Sequence, residues 1–191
     1  MTLLQGQLDA AGLNYQLWTG GEVRIADDTI FWLEKHGVPT IGSSRHVLVD
    51  YWGNHWPAYA DQVIEHLLET GYQPVLAHPE RMDFGEADWD AVLVRLQQLG
   101  VSLQGNLKCL AGHEGPKVAQ RALRLLKEDR YHLVATDMHG APDLSDRLAG
   151  LSVVEQHVGS YKLWELLEAA PREIVAPAGR QESPQVHHSK Y

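Results

Sequence analysis

Three short strings carry the side chains able to do chemistry: Gly20-Gly21-Glu22, His78-Pro79-Glu80-Arg81 and Asp137-Met138-His139. Carboxylates and imidazoles together make mixed sites suited to Mn, Fe or Zn. Asp137 and His139 stand two residues apart where a strand should end, so both can reach the same side and hold one cation. Pro79 cannot continue a strand ladder, which presents the His78 imidazole at the sheet's edge. Each string alone also has an ordinary structural use: a helix cap with a surface histidine, a turn carboxylate at Glu22, an exposed ion pair between Glu80 and Arg81. Jointly, Glu22, His78, Asp137 and His139 form a candidate metal-ligand set with Arg81 beside it. A guanidinium next to cations suits an anionic substrate, which its planar fork binds. Metal ions add Lewis acidity and an activated water, so the chemistry indicated is hydrolysis of a phosphate ester. The thiolate route to that reaction needs an arginine six positions after a cysteine, and six after Cys109 stands Gly115.

Such residues can act only if separate elements deliver them to one place. Short β-rich runs recur at Tyr15 to Thr19, His46 to Tyr51, Pro74 to His78, Val101 to Gln104 and His132 to Asp137, roughly thirty residues apart, the length of a βαβ unit. Between them lie helical stripes: Tyr59, Val63, Ile64, Leu67 and Leu68, then Trp89, Val92, Leu93, Leu96 and Leu99. Pro116 sits where a third helix would begin. The pattern predicts an α/β fold with a mainly parallel sheet, either open and doubly wound or closed as a distorted barrel. In such folds the working groups gather at the carboxyl ends of the strands. There the chain places Gly20 to Glu22, Asp50 to His55, His78 to Arg81, Gln104 to Asn106 and Asp137 to His139. Trp52, Trp56 and Tyr59 fall near the same rim, where they either shape an aromatic pocket or simply pack.

Composition narrows the function classes. The chain has 191 residues, 44% of them hydrophobic, enough for one domain with a core. Its 16 Lys and Arg against 25 Asp and Glu give a net charge of −9, which would repel nucleic acid. No apolar run approaches the roughly 20 residues of a membrane-spanning helix, and the start lacks a signal-peptide pattern. A lone cysteine cannot form an internal disulfide, which fits the cytoplasm. Residues 151 to 170 read as helical. From Pro171 the composition turns polar, so the expected division is a domain over 1–172 and a flexible tail over 173–191, whose His187 and His188 are ordinary tail residues.

The strings Gly20-Gly21-Glu22-Val23-Arg24-Ile25, Ala77-His78-Pro79-Glu80-Arg81 and Ala135-Thr136-Asp137-Met138-His139 resemble, in order and spacing, the bacterial metal-dependent protein-tyrosine phosphatases of the polymerase-and-histidinol-phosphatase (PHP) superfamily. His55-Trp56-Pro57-Ala58-Tyr59-Ala60 and Leu110-Ala111-Gly112 with Gly115 extend the similarity over about Leu13 to Ala170. The resemblance implies a distorted (β/α)7 TIM-like PHP barrel and a cluster of divalent ions, usually Mn2+. The implied activity is attack of a metal-activated water on protein phosphotyrosine, in the regulation of capsule and exopolysaccharide synthesis, with a bacterial tyrosine kinase as the partner. It also implies that Glu22 bridges metals, that His78, Asp137 and His139 are further ligands, and that Arg81 clamps phosphate. It implies too a second arginine that binds phosphate beside Arg81 in catalysis, which corresponds most nearly to Arg147, eight residues beyond His139 in a loop longer than is usual for the family.

Family members open with a strand carrying His-x-His and a second ending near Thr-Pro-His. This sequence contains no His-x-His, and its five predicted strands are two fewer than seven. The expectation is a barrel missing its first one or two βα units, with weakened metal binding and an exposed edge prone to self-association. Two other functions fit the same residues. One is a degenerate domain that binds phosphotyrosine segments or a kinase through Arg81 without turnover; the other is a phosphatase for small esters such as histidinol phosphate.

Overall fold

A computed structural model describes residues 2–140, 142 and 144–175. The chain runs α1 (Thr2–Ala10), β1 (Glu22–Arg24), α2 (Thr29–His36), β2 (His46–Asp50), α3 (Ala58–Glu69) and β3 (Gln73–Ala77). After a 3-10 turn at Pro79–Arg81 come α4 (Glu86–Gln98), β4 (Ser102–Asn106), α5 (Leu107–Leu110), α6 (Pro116–Lys127) and β5 (Leu133–Ala135). A helix α7 (Leu144–Trp164), a π-helical turn at Glu165–Ala169 and α8 (Ala170–Val175) complete it. The backbone of α7 breaks at Gly159, whose φ is 83°. The five strands form one parallel sheet in the order β1-β2-β3-β4-β5.

The parallel α/β arrangement is the one the periodicity predicts, because alternating apolar residues must be buried on both faces of each strand. Val47, Val49, Leu76, Leu103 and Val134 point to one face. There they meet Ala60, Val63, Ile64 and Leu67 of α3, Trp89, Leu93 and Leu96 of α4, and Ala122, Leu125 and Leu126 of α6. The other face carries Leu48, Val75 and Leu133, which pack on Ala170, Ile174 and Val175 of α8. This helix extends to Val175, past the boundary expected at 172; residues 176–191 of the expected tail, with His187 and His188, lie outside the described residues. No helix among the described residues is long and apolar enough to cross a membrane.

The first expected strand is not one. Residues 15–19 form no ladder, because the Gln5 side chain takes their polar groups: its Nε2 donates to the Tyr15 carbonyl (2.8 Å), and its Oε1 accepts from the Leu17 N–H (2.8 Å). The edge strand is instead β1, so Glu22 opens a strand rather than following one, opposite Leu48.

Helix α7 lies close against α5 at Gly150, where any Cβ would overlap the Leu107 carbonyl oxygen. Since that obstacle is backbone, Gly150→Ala should cost about 1–3 kcal/mol by overpacking, read as a lower denaturant midpoint at unchanged slope.

Candidate metal centre

Glu22, His78 and Asp137 each offer a ligand atom, and these atoms lie within 4.8 Å of one another. They come from three strands remote in sequence. Glu22 starts β1, His78 follows β3, and Asp137 follows β5. Two of the three stand in the left-handed region, His78 at φ 33° and Asp137 at φ 46°. For residues other than glycine such backbone costs about 1–3 kcal/mol each and persists only where surrounding bonds over-determine it. Around His78 those bonds run from its N–H to the Gln104 carbonyl (2.8 Å) and from the Arg81 N–H back to its own carbonyl (2.9 Å).

Around Asp137 the restraint is Arg147. It lies on the first turns of α7 and is buried. Its Nε donates to the Thr136 carbonyl (2.9 Å) and its Nη2 to the Asp137 carbonyl (3.0 Å). The structure thus places Arg147 behind the ligand-bearing turn, on a helix rather than in a loop. His139 adjoins the trio, its Nε2 3.3 Å from Asp137 Oδ1, with an exposed side chain. Arg81 approaches from the other oxygen, Nη1 to Asp137 Oδ2 at 3.6 Å.

Charge and burial couple these side chains to one another. The hydrogen bond to His78 holds the Glu22 carboxyl below its usual range, and partial burial, which acts to raise it, does not cancel this. Burial would lower the His78 imidazole, but the Glu22 bond and the Asp50 and Glu80 charges outweigh it and raise it instead. Asp50, the last residue of β2, sits on the far side of that ring, Oδ1 to Nδ1 at 3.7 Å, and burial pushes its carboxyl up.

Supporting residues surround these. Asn106 ends β4; its Nδ2 donates to Asp137 Oδ2 (2.8 Å) and its Oδ1 accepts from the Lys108 N–H (2.8 Å), which caps α5. The alternative use of Glu80 in an exposed pair with Arg81 does not hold: Glu80 is 0% exposed and turned inward. One of its oxygens accepts the Asn106 N–H (2.9 Å) and the other the Tyr131 hydroxyl (2.9 Å). Burial raises the Glu80 carboxyl. Neither Glu80's inward turn nor the supporting roles of Asn106 and Asp50 follow from residue spacing. Their only sequence signal is position, since Asp50 and Asn106 close strands on the rim.

Comparisons with known proteins agree with this layout. A family described as capsular polysaccharide synthesis, CpsB/CapC, matches residues 1–176. The tyrosine-protein phosphatase YwqE of Bacillus subtilis is 30% identical over 152 residues, 79% of this chain and 59% of that protein. The tyrosine-protein phosphatase CpsB of Streptococcus pneumoniae is 27% identical over 162 residues, 82% and 66% of the two chains. CapC of Staphylococcus aureus is 30% identical over 133 residues and is spanned over 51% of its length. The chain therefore covers between about half and two thirds of these relatives. A chain from the crystal structures of YwqE and CpsB, described as unique metal-dependent tyrosine phosphatases, superposes with a TM-score of 0.76. Its identity is 28%, and the match covers 92% of this chain and 71% of that one. Motif order, parallel sheet and sequence similarity converge on one assignment: the chain belongs to the CpsB/CapC family of capsular polysaccharide synthesis.

Proposed function

We propose that this chain is a metal-dependent phosphatase acting on protein phosphotyrosine, with Glu22, His78, Asp137 and His139 as metal ligands and Arg81 as phosphate clamp. The observation that carries it is the meeting of Glu22, His78 and Asp137 within 4.8 Å beside a guanidinium. Two carboxylates and an imidazole suit a hard or borderline divalent ion, with Mn2+ our choice. Such an ion supplies Lewis acidity toward a phosphoryl oxygen and lowers the pKa of water. The chain's own groups do the rest. Arg81 offers the edge of its fork to phosphate oxygens, Asp50 orients the His78 ring, and Arg147 supports the phosphate site by fixing the Asp137 turn. Cys109 is buried and its thiol is pushed up by burial, which suits an inert core residue and leaves the metal route.

The five strands correspond, in this reading, to part of a distorted seven-stranded PHP barrel, supported by the match to 71% of a solved relative. The domain would run through α8 to Val175 rather than stop at 172, its substrate would be a tyrosine kinase of capsule or exopolysaccharide synthesis, and the edge strand β1, paired among the described residues with β2 alone, would favour self-association. The decisive test is phosphate release from a phosphotyrosine peptide. Turnover should need Mn2+, stop with chelator, and fall at least about 100-fold in His78→Ala, since even outer partners of metal ligands are worth 10–100-fold. Metal-independent turnover, or none at all with metal, would overturn the assignment.

Asn106 offers a subtler check. Asn106→Ser keeps a helix cap but loses the amide that holds Asp137, so Mn2+ affinity should drop about 10–100-fold with little change in melting. Calorimetric titration reads the affinity and thermal unfolding without metal reads the melting.

A further inference from the structure

Trp52 is an exposed tryptophan that the fold goes to some length to hold still. It follows β2, is 57% exposed, and its Nε1–H donates to Asp50, the carboxylate next to His78. The Arg81 guanidinium carbon stands 5.0 Å from its ring centre. The loop beneath is rigid for aromatic reasons. Tyr51 is buried, packs on Trp56 at 5.0 Å and on the edge of Phe84 at 6.0 Å, and donates its hydroxyl to the His55 carbonyl (2.7 Å). Gly53 is required there, since a Cβ would strike that hydroxyl, and its carbonyl accepts the Asp83 N–H (3.3 Å), tying the loop to the segment after Arg81. Trp56 and Tyr59, by contrast, pack against the core. Only Trp52 of the rim aromatics keeps more than half its surface open.

An arginine can stack by its flat face while its edge donates to an anion. A phosphate on Arg81 would then hold its substituent beside the indole. Building on the phosphatase assignment, we propose that Trp52 is a specificity-determining residue: its anchored indole stacks on the aromatic ring of an aryl phosphate and favours phosphotyrosine over alkyl phosphates such as phosphoserine.

Binding of two inert phosphonates separates this from any leaving-group effect. Benzylphosphonate and ethylphosphonate are titrated calorimetrically into the Mn2+-treated chain, its Trp52→Ala variant and its Trp52→Phe variant. The expected result is an aromatic preference of about tenfold, the scale of one aromatic contact, which narrows in Trp52→Ala and largely returns in Trp52→Phe. A preference that survives Trp52→Ala, or an equal loss of both ligands, overturns the role of Trp52 while leaving the phosphate site standing. Failure of the parent chain to bind either phosphonate overturns the phosphate site and this role together.

Discussion

Asp137→Asn should leave a folded chain that no longer holds a divalent cation. Asparagine tolerates the left-handed backbone of this position, φ 46°, as well as aspartate does. Its amide oxygen can still accept from Asn106 Nδ2, which now bonds Asp137 Oδ2 at 2.8 Å. What is lost is one of the two negative charges in the trio of Glu22, His78 and Asp137. Neutralising a ligand should cost more than the 10–100-fold seen for outer partners, so Mn2+ affinity should fall by more than about 100-fold. Two measurements check it. Calorimetry reads the affinity, and thermal melting reads the linkage, because an ion that binds only the native state raises its stability. Mn2+ should therefore raise the melting temperature of the parent chain but not of Asp137→Asn. His139→Ala should do less, since that side chain is exposed and touches the group at Asp137. An unaltered affinity in Asp137→Asn would show that the ions bind elsewhere.

Trp89→Ala should be the most damaging single change to stability among core positions near the site. Trp89 is 0% exposed on α4, and its Nε1–H donates to the Pro79 carbonyl at 2.7 Å. The Arg121 guanidinium lies 4.6 Å from its ring centre, and Arg121 in turn donates to the Met82 and Phe84 carbonyls. Removing the indole leaves a cavity, an unpaired carbonyl and a loosened arginine, a loss of about 3–5 kcal/mol. For a chain of this size that is a drop of roughly 6–20 °C in melting temperature. Trp89→Phe restores most of the volume without the N–H, so its loss should be about 1–2 kcal/mol, mainly the stranded Pro79 carbonyl. Denaturant unfolding of both variants distinguishes volume from hydrogen bond. Because Pro79 stands between His78 and Arg81, the alanine variant should also bind phosphate more weakly at temperatures where it remains folded.

Much of this protein is written locally. The runs at His46, Pro74, Val101 and His132 became β2 to β5 within a few residues at each end, and Pro116 does begin α6. Apolar periodicity and proline stereochemistry act over a few residues, so a linear reading reaches them. Residues 15–19 show where it stops. Their alternating pattern suits a strand, yet the Gln5 side chain, ten positions upstream of Tyr15, supplies the partners a ladder would have offered.

The candidate site divides the same way. Residue type and position at carboxyl ends of strands pointed to His78, Arg81, Asp137 and His139, because parallel topology brings those ends to one rim whatever their distance in sequence; Glu22 reaches the same rim from the opening of β1, by the register of that edge strand on β2. The inward turn of Glu80, the hold of Asn106 on Asp137, the place of Asp50 behind His78 and the grip of Arg147 on two carbonyls needed the folded chain. Those choices depend on which of two available partners a side chain meets once neighbouring strands and helices are packed. Chemical type determined what could bind at this rim; the direction of each side chain, set by burial and by hydrogen bonds across distant segments, was decided only in three dimensions.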